Sequence, residues 1–338
     1  MAEIVRDEDV PVDFPFNPTT DEEVIEEIRA HFKVSIMGTV EGMKETILIL
    51  DHNMKSWHAL PEVGFVEAVR QSSRGFPVSV LVMKHHRLQY LPKDLQVACS
   101  HVNHMDLSFN RLSSFSLHAP SAFANLKELN LVGNGLHTIG EEIGGLRQLQ
   151  LLDLSRNALT SLPPVLGQLR NLTVLRAPFN KISTLSDGVC SLRNLLELEI
   201  HNNLLTTVHV PIGGWTQLQI LHASCNSLSN RALADILSSV GDDLRELYVA
   251  NNCISVLPYQ LGMRCKLQRL VIGGNPLEHP PPRVCRQGLV AIQQHLIKRR
   301  NKALAATIQV NFSVVRNPDY YDTDTSDDDS DDDYVKLD

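Results

Sequence analysis

Between residues 149 and 171 the chain reads LQLLDLSRNALTSLPPVLGQLRN, and its leucines fit neither a long amphipathic helix nor a long alternating strand. The opening LxxLxL is a short strand, with Leu152 and Leu154 pointing to one side and Asp153 to the other. Asn157 follows at a turn, where its amide can satisfy backbone groups that no sheet ladder reaches. Leu159 brings the chain back to the apolar side. The segment TSLPPVLGQL then returns along the other face, and its prolines suit an irregular or 3₁₀ path rather than a second strand.

The pattern LxxLxLxxNxLxxLPxxLxxLxx recurs down the chain. Its copies centre on His86, Asn110, Asn134, Asn157, Asn180, Asn203, Asn226, Asn252 and Asn275, spaced by 24, 24, 23, 23, 23, 23, 26 and 23 residues. The eight asparagines are expected to form a ladder along the stack, with a less regular turn where His86 replaces the first. No single unit can bury its leucines, so neighbours must stack into a curved rod. The fold class is therefore α/β: a solenoid with a parallel sheet on its concave face and an irregular, 3₁₀ or helical convex face. The 26-residue step contains RALADILSSVGDDL, where Leu233, Ile236, Leu237 and Val240 predict a true convex helix.

The open ends of such a rod need caps. Thr20-Asp-Glu-Glu23 is a capping box opening a helix with Val24, Ile25, Ile28 and Phe32 on one side. Residues 34–60 then read as one or two strands, and Leu48-x-Leu50-x-x-Asn53 has the form of a degenerate repeat. At the other end, Cys285, Leu289, Ile292 and Leu296 make one helical stripe over the last repeat. The expected organisation is an acidic flexible stretch at 1–19, an N-terminal cap at 20–76, and about nine repeats at 77–279. A cap helix at 280–304 and a flexible acidic tail at 305–338 complete it.

At this level the chain resembles the intracellular leucine-rich-repeat class of the plant Ras-group-related proteins and of the animal scaffold linking Ras to a protein phosphatase. The closing NPLEHPPPRVCRQGLVAIQQHL is similar to the C-terminal cap of that group. The resemblance spans roughly residues 78–297. It implies a non-catalytic scaffold or adaptor in intracellular signalling, monomeric on its own, whose protein partner is a small GTPase or a phosphatase subunit. The alternative is a structural subunit of a large assembly such as a cytoskeletal or ciliary complex. Fold alone does not choose between them.

Partners of such rods lie on the concave face, whose outward positions can be read off. The column between the strand leucines includes Asp153, Arg176, Glu199, His222 and Tyr248; the column before the asparagines includes His85, Phe109, Gly133, Arg156 and Phe179. Phe109, Arg156, Arg176 and Phe179 have the aromatic and arginine character of binding hot spots, and Glu199, His201, His222 and Tyr248 continue that surface. Every rod of this type has such columns, and phenylalanine before the asparagine also serves as packing between turns.

Composition narrows the chemistry. The −8 overall charge divides into −8 over residues 1–30, −9 over residues 319–338 and +9 over the body between them. Acidic ends and sparse aromatics weigh against nucleic acid, despite KRRNK at 298–302. The six cysteines show no CxxC, which points to reduced thiols and a cytoplasmic protein, with the nucleus as the alternative. The N-terminus carries no leader-like apolar stretch, and no apolar run is long enough to enter a membrane.

No glycine-rich phosphate loop, HExxH or GxSxG is present, so no catalytic residue, enzyme activity or cofactor is expected. His85, His86, His101 and His104 fall on adjacent turns, but no acidic or cysteine partner completes a shell, and no metal site is expected. The tail DYYDTDTSDDDSDDDYVKLD offers Thr325, Ser326 and Ser330 to an acidophilic kinase. It is either a solubilising extension or a competitor that folds back on Arg283, Arg286 and Lys298-Arg299-Arg300.

Overall fold

A computed structural model describes residues 32–40, 43–50, 78–91, 101–117, 120–211 and 213–315. Nine repeat strands stack side by side and in parallel: Val78–Val82, His104–Asp106, Glu128–Asn130, Leu151–Asp153, Val174–Arg176, Glu197–Glu199, Ile220–His222, Glu246–Tyr248 and Arg269–Val271. Their register is strict. Leu129 pairs with Leu152, Leu152 with Leu175, and Leu175 with Leu198, so each inward leucine sits beside its counterpart one turn away. These four leucines have no solvent exposure. Such continuity is what lets short three-residue strands form at all, because none buries enough apolar surface alone.

The return segments follow the prolines. Pro120–Phe123, Glu141–Gly145, Pro164–Gln168 and Tyr259–Met263 are 3₁₀ turns, and Asp187–Cys190 is a single α turn. The long step forms the helix Asn230–Ser239, which buries Leu233, Ile236 and Leu237. Ser229 caps it by accepting a hydrogen bond from the Ala232 amide at 3.3 Å.

The asparagines knit successive turns together. Asn180 donates to the carbonyls of Leu154 (3.0 Å) and Ala177 (3.1 Å) and accepts from the Leu159 amide at 3.0 Å. Asn110, Asn134, Asn157, Asn203, Asn226, Asn252 and Asn275 repeat this geometry. Each amide therefore joins two adjacent repeats at the edge where the strand ladder stops. His86, in the first such position, is buried, and its turn carries a second left-handed residue, Arg87 at φ 58°.

Both ends differ from expectation. Phe32 does not lie on a helix; it opens the strand Phe32–Val40, which pairs antiparallel with Met43–Leu50. Two residues separate these strands, too few for a parallel crossover, so a hairpin is the geometry open to them. Met43–Leu50 in turn pairs in parallel with Val78–Val82. Leu48 lies beside Leu81 in the repeat register, as the expected degenerate repeat requires, and Phe32–Val40 extends that strand as a hairpin; Asn53 and the capping box lie outside the described residues.

At the C-terminus the predicted stripe is broken. Pro282–Cys285 is a separate short helix, and Gly288 at φ 91° redirects the chain into a 27-residue helix, Leu289–Val315. Ile292 and Leu296 of the long helix are buried. The helix does not stop at residue 304, because Ala303-Leu-Ala-Ala306 favours helix and no proline intervenes before Pro318.

Cys190, Cys225, Cys253, Cys265 and Cys285 are free thiols. Burial, aided by Asp187, pushes the Cys190 thiol up to about 12. Brief maleimide treatment of the native protein is expected to label the exposed Cys253 and Cys265 and to leave Cys190 untouched until denaturant is added. Native labelling of Cys190 as fast as Cys253 would contradict this packing.

Candidate concave-face interaction site

The residue before each ladder asparagine adopts the left-handed conformation, as does the residue before His86: His85 (φ 64°), Phe109 (55°), Gly133 (66°), Arg156 (56°), Phe179 (54°), Asn202 (55°), Cys225 (55°), Asn251 (52°) and Gly274 (72°). For a residue with a Cβ this costs on the order of 1 kcal/mol, which the asparagine bonds and sheet pairing must offset. The turn throws these side chains out along one margin of the concave face. Phe109 and Phe179 are accordingly 46% and 43% exposed.

The rings on this margin contact one another in two groups. Phe109 stacks on His85, centroids 4.6 Å apart and planes 2° from parallel. Its ring also spreads over Gly133, where a Cβ would lie 2.6 Å from Phe109 Cδ1. Beyond that glycine a second group begins. The Arg156 guanidinium lies over the Phe179 ring at 4.8 Å, a cation–π arrangement. Phe179 meets His201 edge-on at 5.4 Å, His201 stacks on His222 at 4.0 Å, and His222 contacts Tyr248 at 4.9 Å.

Arg176 does not join Arg156 on this aromatic margin. It donates to Glu197 Oε1 through Nη2 (2.6 Å) and Nε (3.0 Å), and its Nε stands 3.3 Å from Glu199. Burial lowers the Arg176 pKa, but the Glu197 hydrogen bond and the charges of Glu197, Glu199 and Asp153 outweigh it and raise the net value. Burial and a hydrogen bond with Glu197 hold Glu199 above the usual carboxylate range despite Arg176. Burial, with a smaller contribution from His222, pushes His201 down to about 4; burial also lowers His222. Both imidazoles are therefore neutral at neutral pH. Tyr248 donates to Glu246 and accepts from Arg269 Nη1 at 3.2 Å.

The expected patch is thus regrouped. Phe109 belongs with His85, Arg156 with Phe179, and Arg176 with the acidic residues. Three participants fall outside the expected set: Glu197, His85 as the ring under Phe109, and Gly133 as a point of close approach. The signal for Glu197 is its strand position two residues before Glu199 on the same face, where parallel pairing sets it beside Val174 and diagonal to Arg176. Histidines 85, 86, 101 and 104 make no group of three donors: among the described residues, the one group of three metal-capable donors is Glu199, His201 and His222, each expected on the concave surface but not expected to meet. His104 instead pairs with Glu128 at 2.7 Å. Thr325, Ser326 and Ser330 lie outside the described residues.

The repeat geometry accords with comparison to known proteins, in which a model of the leucine-rich repeat region matches residues 83–294, more than half of the chain. The chain belongs to the leucine-rich-repeat family. No curated protein matches it. Among solved structures, the leucine-rich-repeat chain is similar to a TDR receptor, with TM-score 0.51 and 22% identity over 62% of this chain and 36% of that one. It is also similar to the leucine-rich-repeat ectodomain of the plant membrane receptor kinase GASSHO1/SCHENGEN3 from Arabidopsis thaliana, in complex with CASPARIAN STRIP INTEGRITY FACTOR 2. There the TM-score is 0.55, with 20% identity over 77% of this chain and 31% of that one. The chain spans about a third of the length of these receptors, and at such identity the likeness concerns fold. The leucine-rich-repeat family is typically a non-catalytic protein-interaction module. Among the described residues no helix is long and apolar enough to cross a membrane.

Proposed function

We propose that this leucine-rich-repeat chain is a non-catalytic scaffold of intracellular signalling that holds a protein partner across its concave face in the cytoplasm. The observation that carries this reading is the file Arg156–Phe179–His201–His222–Tyr248, exposed at its first two members and half-buried at the other three. It combines aromatic area, a guanidinium already placed over a ring, and imidazoles carrying no charge to desolvate. A small GTPase or a phosphatase subunit is the partner class to test first, on the resemblance of the repeat and its C-terminal cap.

The test compares affinity purification of the tagged full chain with that of an Arg156→Glu/Phe179→Ala variant by quantitative mass spectrometry. Binding of each lost partner to the two purified proteins is then measured. Arg156 is preferred over Arg176 because removing Arg176 would leave Glu197 and Glu199 unpaired. The expected result is a small set of partners lost from the variant, with Kd at least about tenfold weaker. An unchanged set would overturn the concave-face assignment. A fixed stoichiometric assembly retained by both proteins would replace the scaffold reading with that of a structural subunit.

A further inference from the structure

We propose that Glu199, His201 and His222 form a binding site for zinc on the concave face, joining two adjacent repeats. Glu199 ends the strand Glu197–Glu199, His201 follows two residues later, and His222 ends the next strand, Ile220–His222. Because these strands pair with Glu199 directly beside His222, the parallel sheet itself brings the three side chains together. One donor atom from each lies within 4.8 Å of the other two. Ligands of a tetrahedral ion with bonds of about 2.0–2.1 Å stand about 3.3 Å apart. Modest side-chain rotations about an ion would close that difference, and all three residues are only half-buried.

A second observation points the same way. His201 Nδ1 is buried and finds no hydrogen-bond partner among the described residues. An imidazole nitrogen withdrawn from water without a partner is costly, and a metal ion is one group able to use its lone pair. The surroundings also favour a cation. Asp153, Glu197 and Glu199 all act on Arg176, so carboxylates outnumber the guanidinium here. An ion taking Glu199 would leave Arg176 its shorter contact with Glu197, at 2.6 Å.

The donor set selects the metal class. Two imidazoles and one carboxylate suit zinc and its borderline neighbours, whereas calcium and magnesium require a shell of oxygens. Three protein ligands leave coordination open toward the concave side for water or another donor. The inference does not rest on the partner-binding reading, since the three donors all belong to this chain.

The test is calorimetric titration of metal-free full-length protein with zinc chloride, alongside His222→Gln and Glu199→Gln. Matching unfolding midpoints in metal-free buffer confirm that the variants are folded, and Glu199→Gln, which keeps size and polarity, carries the test should His222→Gln fail to fold. The acidic tail and the other histidines supply a background common to all three proteins. Wild type is expected to show one added site of micromolar affinity. That site should weaken about 100-fold or more in the variants, given that losing even an outer-shell partner costs about 10- to 100-fold. Identical titrations for the three proteins, or absence of a distinct site in wild type, would overturn the assignment.

Discussion

Replacing Trp215 by alanine is expected to destabilise the protein by about 3–5 kcal/mol, the range for truncating a fully buried large aromatic. Trp215 has no solvent exposure and is the largest fully buried side chain among the described residues. It occupies the convex-side position held by Leu169 and Leu192 in the two preceding repeats. Its indole Nε1 donates to the Val189 carbonyl at 3.0 Å, so alanine would leave a cavity and remove one hydrogen bond from a buried carbonyl that keeps the Leu192 amide at 3.3 Å. The backbone around it cannot collapse inward, because a Cβ at Gly214 would already lie 2.2 Å from the Cys190 carbonyl oxygen. In a stack where each repeat contacts only its neighbours, the loss should weaken the junction between the two halves of the rod. Urea unfolding checks this. Trp215→Phe should retain most of the stability, and an alanine variant within about 1 kcal/mol of wild type would show that the site is looser than described.

The second large effect belongs to the ladder. Asn180→Ala should cost about 1–3 kcal/mol, because Leu154, Ala177 and Leu159 each lose a side-chain partner at a place shielded from water. Asn171→Ala is the control. Asn171 also donates to a carbonyl of the preceding turn, Arg147 at 2.9 Å, but it is exposed and water can replace it, so its loss should fall within about 0.5 kcal/mol. Equal effects at the two positions would show that burial does not set the strength of the ladder.

The rod is legible in the chain because its information is periodic. Leu152 and its counterparts recur at a spacing that admits one stacking solution, and the asparagines mark where each strand must turn. The ends are less legible because they break the period. Glu41-Gly42 between two β-prone segments is the sign of the hairpin, which adds an antiparallel strand to the degenerate repeat at Leu48. The alanines after Lys302 are the sign that the cap helix continues, but the acidic residues beyond them draw the expected boundary inward.

The candidate site divides in the same way. Strand alternation and the turn position alone pick out Phe109, Arg156, Arg176, Phe179, Glu199, His201, His222 and Tyr248 as concave-facing. Which of them touch is a separate matter. Cross-strand contacts depend on rotamers, on the left-handed turn before each asparagine, and on competition among neighbours. The sequence by itself thus determined the repeat, its register and its inward and outward faces, because these follow from spacing alone. Only the tertiary structure decided that Arg176 is held by Glu197 and Glu199, that Arg156 lies over Phe179, and that Glu199, His201 and His222 converge across two strands, because distance between side chains is set by how the turns stack.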